Sequence, residues 1–357
     1  MAISAATPAP DIPRLVDEQL RLYLATKEYS SPSLRHLVNS IRVFTLGGGK
    51  RIRPRLCCLG HSAVSGGHPP PAVVRCAAAV ELFHTFALIH DDIIDCSDSR
   101  RGRPTLHRAL AVQPGDDEPG RTDGDGQDGL RKALLAGDLA LVWADELFHQ
   151  SGIADDQRAA AQTIWNALRS QVITGQYLDV DATGRTDCDL TSAMQVVRYK
   201  TAKYTVEQPL LLGAALAGGS RSQLSTLSAF GIPLGEAFQL RDDLLGVFGA
   251  PEITGKSRLD DLREGKRTPL LAAAMNLCDP AQRSRLFAII GNPLITENDA
   301  AEVREILTVS GAVSAVEAMI DDRRQQTHAI LSRPHDLHAT TLAELRRLVE
   351  EATRRSF

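Results

Sequence analysis

Residues 81–101 read ELFHTFALIHDDIIDCSDSRR. Apolar residues recur at helical spacing through the first half, and three aspartates, Asp91, Asp92 and Asp95, interrupt them. On a helix Asp91 and Asp95 are four apart and share a face. His84 is seven residues before Asp91, two turns back on that face. Carboxylates crowded in apolar surroundings repel one another and resist ionisation. A hard cation removes that cost, so the stretch points to magnesium held by Asp91, Asp92 and Asp95. Arg100 and Arg101 close the stretch with two planar, bidentate phosphate-binding groups.

Outward from this helix the pattern is helical nearly throughout. Helices are expected at 13–27, 33–45, 52–65, 71–96, 130–151, 156–181, 189–217, 221–249, 267–278, 280–291, 298–309, 311–332 and 337–354. The fold class is all-α, a large single-domain bundle around a central cavity. The domain is expected over 13–357, after a disordered tail at 1–12. Residues 113–129 (QPGDDEPGRTDGDGQDG) hold six acids, five glycines and two prolines. They read as a flexible inserted loop. A calcium loop beginning at Asp123 fails, because its twelfth position is Leu134 rather than glutamate.

A formal net charge of −4 gives no global field for nucleic acid, so any anion site is local. Six cysteines without CxxC spacing read as free thiols in a reducing, cytoplasmic setting. No uninterrupted apolar run long enough to span a membrane occurs, and the N-terminus lacks the pattern of a signal peptide.

Further motifs carry cations. GGGKRIRP (47–54) places Lys50 and Arg53 at a helix start behind three glycines, a phosphate cradle. FQLRDD (238–243) puts Gln239 on one face with Asp242 and Asp243, a second acidic helix. Lys200 and Thr201 sit within a helix in YKT. GQYLD (175–179) adds a polar step to another. Residues 254–268 form a glycine-bounded polar loop with Lys256, Asp260, Asp261 and Lys266, suited to close over a metal–phosphate cluster.

Together these motifs resemble the trans-isoprenyl diphosphate synthases, or polyprenyl synthetases. GGKRIRP, HDDIID with RRGRPT, GQYLDV, YKTAKY, FQLRDD and DLREGKRT stand in that family's order, from about residue 33 onward. The resemblance implies the isoprenoid synthase fold and a homodimer. It implies magnesium-dependent head-to-tail condensation of isopentenyl diphosphate with an allylic diphosphate (dimethylallyl, geranyl or farnesyl). It assigns Lys50, Arg53, His84 and Arg101 to isopentenyl diphosphate. Arg100, Lys200, Thr201, Gln239, Lys256 and Lys266 fall to the allylic diphosphate, and Asp91, Asp92, Asp95 and Asp242 to magnesium. One position departs: the usual DDxxD of the second motif here reads DDLLG, ending in Gly246. The two leading aspartates remain, with Asp260 or Asp261 as candidate support.

Chain length is read on the helix before Asp91, where family members carry bulk as a floor. The fifth position back is Phe86 and the fourth Ala87. Five residues span about 7.5 Å of helix. Phe86 without an insertion in the aspartate motif resembles archaeal-type geranylgeranyl diphosphate synthases, with Phe83 one turn below as reinforcement. The alternatives are a farnesyl or longer-chain synthase, a class I terpene cyclase and a regulatory subunit. A cyclase would carry a late Asn/Asp-x-x-Ser/Thr-x-x-x-Glu motif, which is not found. A regulatory subunit tends to lose the first aspartates and the basic cradle, both present here.

Overall fold

The computed structural model describes residues 10–111, 127–183, 188–249 and 259–354. Helices dominate. In order they are α1 (Ile12–Ala25), α2 (Pro32–Leu46), α3 (Ile52–Ser65), α4 (Pro71–Ile94), α5 (Leu106–Ala111), α6 (Gln127–His149) and α7 (Asp155–Ala182). Then come α8 (Leu190–Val196), a π-helix (Val197–Glu207), α9 (Gln208–Leu216) and α10 (Arg221–Phe248). The last are α11 (Asp260–Glu264), α12 (Pro269–Leu277), α13 (Pro280–Ile289), α14 (Glu297–Val309), α15 (Ala312–Ser332) and α16 (Ala339–Thr353).

α4 is the axis. Proline at its first position lacks an N–H that would be unsatisfied anyway and presets the helical φ. Its Ala-rich middle is buried on every side, with Ala77, Ala78, Ala79 and Val80 fully enclosed. Among the described residues α4 is the one helix long and apolar enough to cross a membrane, with mean hydropathy 1.7. Yet 72% of that stretch is buried within the fold, where it serves as the core of the bundle. α6, α3 and α1 pack around it. One apolar core gathers α1–α7, another joins the end of α10 to α12–α15, and a third joins α3, α9, α10 and α16.

The helices fall within a few residues of the expected spans, and 52–65 coincides. Four features differ. The segment expected as one helix, 189–217, is α8, π-helix and α9 in succession. Ser99–Arg100 and Arg103–Pro104 form a two-stranded antiparallel hairpin. Short helices α5 and α11 were not expected. Ile12 is already helical, with the Asp11 side chain capping the helix start, so α1 begins within the span expected as tail. Residues 1–9 lie outside the described residues, as do 113–126 of the expected loop, whose last three residues open α6.

Candidate active site

Aspartates from α4 meet lysines from the π-helix and from the segment after α11. Lys200 Nζ lies 3.1 Å from Asp91 Oδ1 and 2.6 Å from Asp179 Oδ2 on α7. Lys266 Nζ lies 2.8 Å from Asp95 Oδ2 and 2.6 Å from Glu264 Oε2. Burial would raise the pKa of Asp91, but Lys200, Lys266 and Arg100 outweigh it and hold the carboxyl below its usual range. Asp95 is raised, by burial first and by the Asp91 charge second. Burial opposes the charge on both lysines, and their acids more than restore it.

Thr201 of the π-helix donates to Gln239 Oε1 on α10 at 2.7 Å, and Gln239 Nε2 donates to Asp243 Oδ1 at 2.7 Å. The π-helix thus touches both acidic motifs, through Lys200 to Asp91 and through Thr201 to Gln239. Burial, with smaller contributions from Asp242, Asp261 and Asp179, pushes Asp243 up to about 8. Its Oδ2 is buried without a partner. Asp242 beside it is exposed. An acid at 246 is missing, and a Cβ on Gly246 would lie 1.8 Å from Asp261 Oδ2. The Asp261 carboxylate therefore occupies the space where a side chain at 246 would begin. Lys256 and the Asp260 side chain lie outside the described residues.

The basic cradle is assembled separately. Gly48 and Gly49 take φ of +97° and +132°, which favours glycine. Arg101 reaches back to donate to the Gly48 carbonyl. A Cβ on Gly49 would stand 2.9 Å from the Arg101 guanidinium. Lys50 is exposed at the same loop. Arg53 donates to Thr205 Oγ1 at 2.7 Å and lies over the Tyr204 ring at 4.5 Å. The Tyr204 hydroxyl meets His84 Nδ1 at 3.3 Å. Burial, then Arg53, Arg100, Arg101 and Arg51, push His84 well below its ordinary value of 6.5. Arg101 is lowered as well, by burial first, with Arg51, Arg100 and Arg53 adding. An anion in this cradle relieves that crowding of positive charge.

Asp92, expected at the metal, is 1% exposed and clamped by Arg100 through bonds of 2.7 and 2.9 Å. The same guanidinium lies 3.6 Å from Asp91 Oδ2, so Arg100 joins the two neighbouring acids. Phe83 is fully buried and braces Phe86 from below, with ring centroids 5.2 Å apart. Ala87 is half-buried beside Phe86.

Several residues were missed. Arg51 looks like a surface cation in sequence, but it is 4% exposed with φ +48°. It holds Glu81 at 2.6 Å, Asp17 at 2.8 Å and the Thr45 carbonyl at 3.0 Å. Tyr204 and Thr205 carried no signal beyond adjacency to YKT. Asp179 was seen as a polar step without a partner.

Among the described residues no three of His, Cys, Asp and Glu converge as a ready metal cage. Magnesium needs none, because it takes one or two carboxylates and fills its octahedron with water and substrate phosphate. The all-carboxylate donor set and the orphaned Asp243 oxygen fit it.

Two acidic helices touched by one π-helix, beside a separate arginine cradle in an all-α bundle, define a magnesium-dependent prenyltransferase acting on two diphosphates. The chain belongs to the polyprenyl synthetase family, whose model matches residues 35–308. It is 32% identical to geranylfarnesyl diphosphate synthase of Aeropyrum pernix over 323 residues, 89% of this chain and 92% of that one. It is 31% identical to (2E,6E)-farnesyl diphosphate synthase of Mycobacterium tuberculosis over 326 residues, 85% of this chain and 84% of that one. The structure matches a geranylgeranyl pyrophosphate synthase of Corynebacterium glutamicum, complexed with isoprenyl diphosphate and magnesium. That match has a TM-score of 0.91 and 37% identity, and covers 98% of this chain and 100% of the other. The protein is a trans-prenyl diphosphate synthase that uses magnesium and isoprenyl diphosphates.

Proposed function

We propose that the chain is a geranylgeranyl diphosphate synthase, adding isopentenyl diphosphate to an allylic diphosphate until a twenty-carbon product forms. The observation that carries the length is Phe86. It stands five residues below Asp91 and is 7% exposed. His90 touches it edge-on at 4.7 Å between centroids, and Phe83 at 5.2 Å. Behind Phe83 stands Trp165, itself stacked on Phe148 at 4.7 Å. A ring so backed cannot swing aside for a growing chain, so it acts as a floor.

The residues divide the work. Lys50, Arg53, His84 and Arg101 hold isopentenyl diphosphate. Arg100, Lys200, Thr201, Gln239 and Lys266 face the allylic diphosphate, with Lys256 assigned there by its motif. Asp91, Asp95 and Asp242 would hold magnesium, which supplies the charge that stabilises the departing diphosphate. Lys200 and Lys266 stay cationic and move from their acids to the leaving group. The cradle keeps the alkene in reach of the allylic carbon. The apolar wall of α4 excludes water, which would otherwise trap the cation. The proton lost at the end passes to the released diphosphate.

The same reading makes the enzyme a cytoplasmic homodimer. Leu134, Leu135 and Val142 on α6 and Ile173, Tyr177 and Val180 on α7 are 47–69% exposed, an apolar face suited to a second copy. Cys57, Cys58, Cys76, Cys96 and Cys278 are free thiols.

Chromatography of the products from dimethylallyl, geranyl and farnesyl diphosphate tests the assignment. Geranylgeranyl diphosphate is expected from all three. A dominant fifteen- or twenty-five-carbon product overturns the length, and absence of turnover with every primer overturns the site assignment. Sedimentation of a monomer would remove the dimer.

A further inference from the structure

Val197–Glu207 is a π-helix of 11 residues. Most π-helical segments are single turns inside α-helices, and they cluster at functional sites. This one runs past both diphosphate stations. Lys200 reaches Asp91 and Asp179, and Thr201 reaches Gln239. One turn on, Tyr204 reaches His84 and Thr205 accepts from Arg53. On an α-helix, a residue five further along stands about 140° round the axis. There Thr205 would face away from the side that Lys200 uses. Hydrogen bonds that run i to i+5 widen the turn and bring the fifth residue back toward the first. The π geometry is what lets one helix serve both stations.

A wider helix needs room, and three glycines provide it. A Cβ on Gly175 of α7 would lie 2.3 Å from the Lys200 amide nitrogen. On Gly235 of α10 it would lie 2.5 Å from the Ala202 Cα, and on Gly231 2.9 Å from the Glu207 Cα. Each nearest atom is backbone, which has no rotamer to escape into. Pro233 stands inside α10 between two of these glycines, so α10 is itself irregular where it meets the π-helix. Glycine weakens a helix interior, yet three of them are placed against one neighbour.

We propose that the π-helix fixes the spacing between the two diphosphates. In this role Gly175, Gly231 and Gly235 are positioning residues, and Thr205 aims Arg53 at isopentenyl diphosphate. This rests on the assignment of the two stations made above. Adding a Cβ at 235 shifts Ala202 and carries Lys200, Thr201, Tyr204 and Thr205 with it, so both substrates lose alignment together. Removing the Thr205 hydroxyl disturbs only one station.

The test uses the full chain with magnesium, measuring KM for each diphosphate at saturating levels of the other, together with kcat and the melting temperature. Gly235→Ala is expected to raise both KM values and lower kcat on the order of a hundredfold, the scale of an ångström-sized misplacement. Thr205→Val is expected to raise KM for isopentenyl diphosphate about fivefold, the worth of one hydrogen bond, and to leave the allylic KM unchanged. Gly235→Ala with a lowered melting temperature but parental KM and kcat overturns the proposal, leaving the glycine as packing alone. Should Gly235→Ala fail to fold, Thr205→Val decides, and an unchanged KM for isopentenyl diphosphate overturns it. An inactive parent enzyme would count against the stations themselves.

Discussion

Lys200 answers two acids at once, and with Lys266 it offsets the repulsion between the acids of α4. Asp91 and Asp95 would repel each other if left alone, but each has a lysine within 3.1 Å. Asp91→Ala is therefore expected to fold, since Lys200 keeps Asp179. Its turnover should drop by about 10²–10³-fold, the usual cost of removing one electrostatic stabiliser. Diphosphate release measures the loss, and near-parental turnover would remove Asp91 from the metal site. His84 gives a pH prediction. Its pKa is lowered in the fold, so below its ordinary 6.5 the unfolded chain gains a proton that the folded chain does not. The stability that His84 contributes is full above that value and is lost as pH falls. His84→Gln keeps a neutral hydrogen-bonding group, so its melting temperature should fall less than the parent's between about pH 7 and pH 5. An equally steep fall would assign the acid sensitivity elsewhere.

At the scale of the element, α4 is both core and ruler. Its outer turns carry His84 and the aspartates, while Phe83 and Phe86 look inward. Phe86→Ala is expected to deepen the cleft and lengthen the product by one or more five-carbon units. An unchanged product distribution would end the idea of a floor at 86. Much of this was legible in the sequence, because acids, glycines and lysines in fixed order mark α4, α10 and the cradle. The π-helix was not legible. Its residues continue the apolar spacing of α8 and α9, and the change from i+4 to i+5 bonding leaves no compositional mark. The hairpin at 99–104 has strands of two residues, too short for alternation to show. Asp261 was legible as a candidate support for the second motif, but that its carboxylate fills the space beside Gly246 was not, because the two are brought together only by the fold. Arg51 escaped for a similar reason: its partners Asp17 and Glu81 come from two other helices.

At the scale of the whole molecule, buried charge ties α1 and α4 to the start of α3. Arg51 and Glu81 have side chains only 3% and 6% exposed. Breaking such a pair leaves a buried charge unmatched, at a cost of about 3–5 kcal/mol. Arg51→Ala should lower the denaturant midpoint accordingly and also raise KM for isopentenyl diphosphate, since Arg51 shapes the loop that carries Lys50. A variant with parental stability and KM would make the network ornamental.

The same network reaches beyond the span that the family model matches. The family model begins at residue 35, but Asp17 lies on α1, whose Val16, Leu20 and Leu24 are fully buried. A chimera that takes its first 34 residues from another synthase would keep every acid, lysine and glycine of the reacting centre. Unless the donor segment carried a carboxylate in register with Asp17, it would leave Arg51 one anchor short. Residues 17, 51 and 81 are thus one inheritable block, and a crossover point belongs before α1 or after α4.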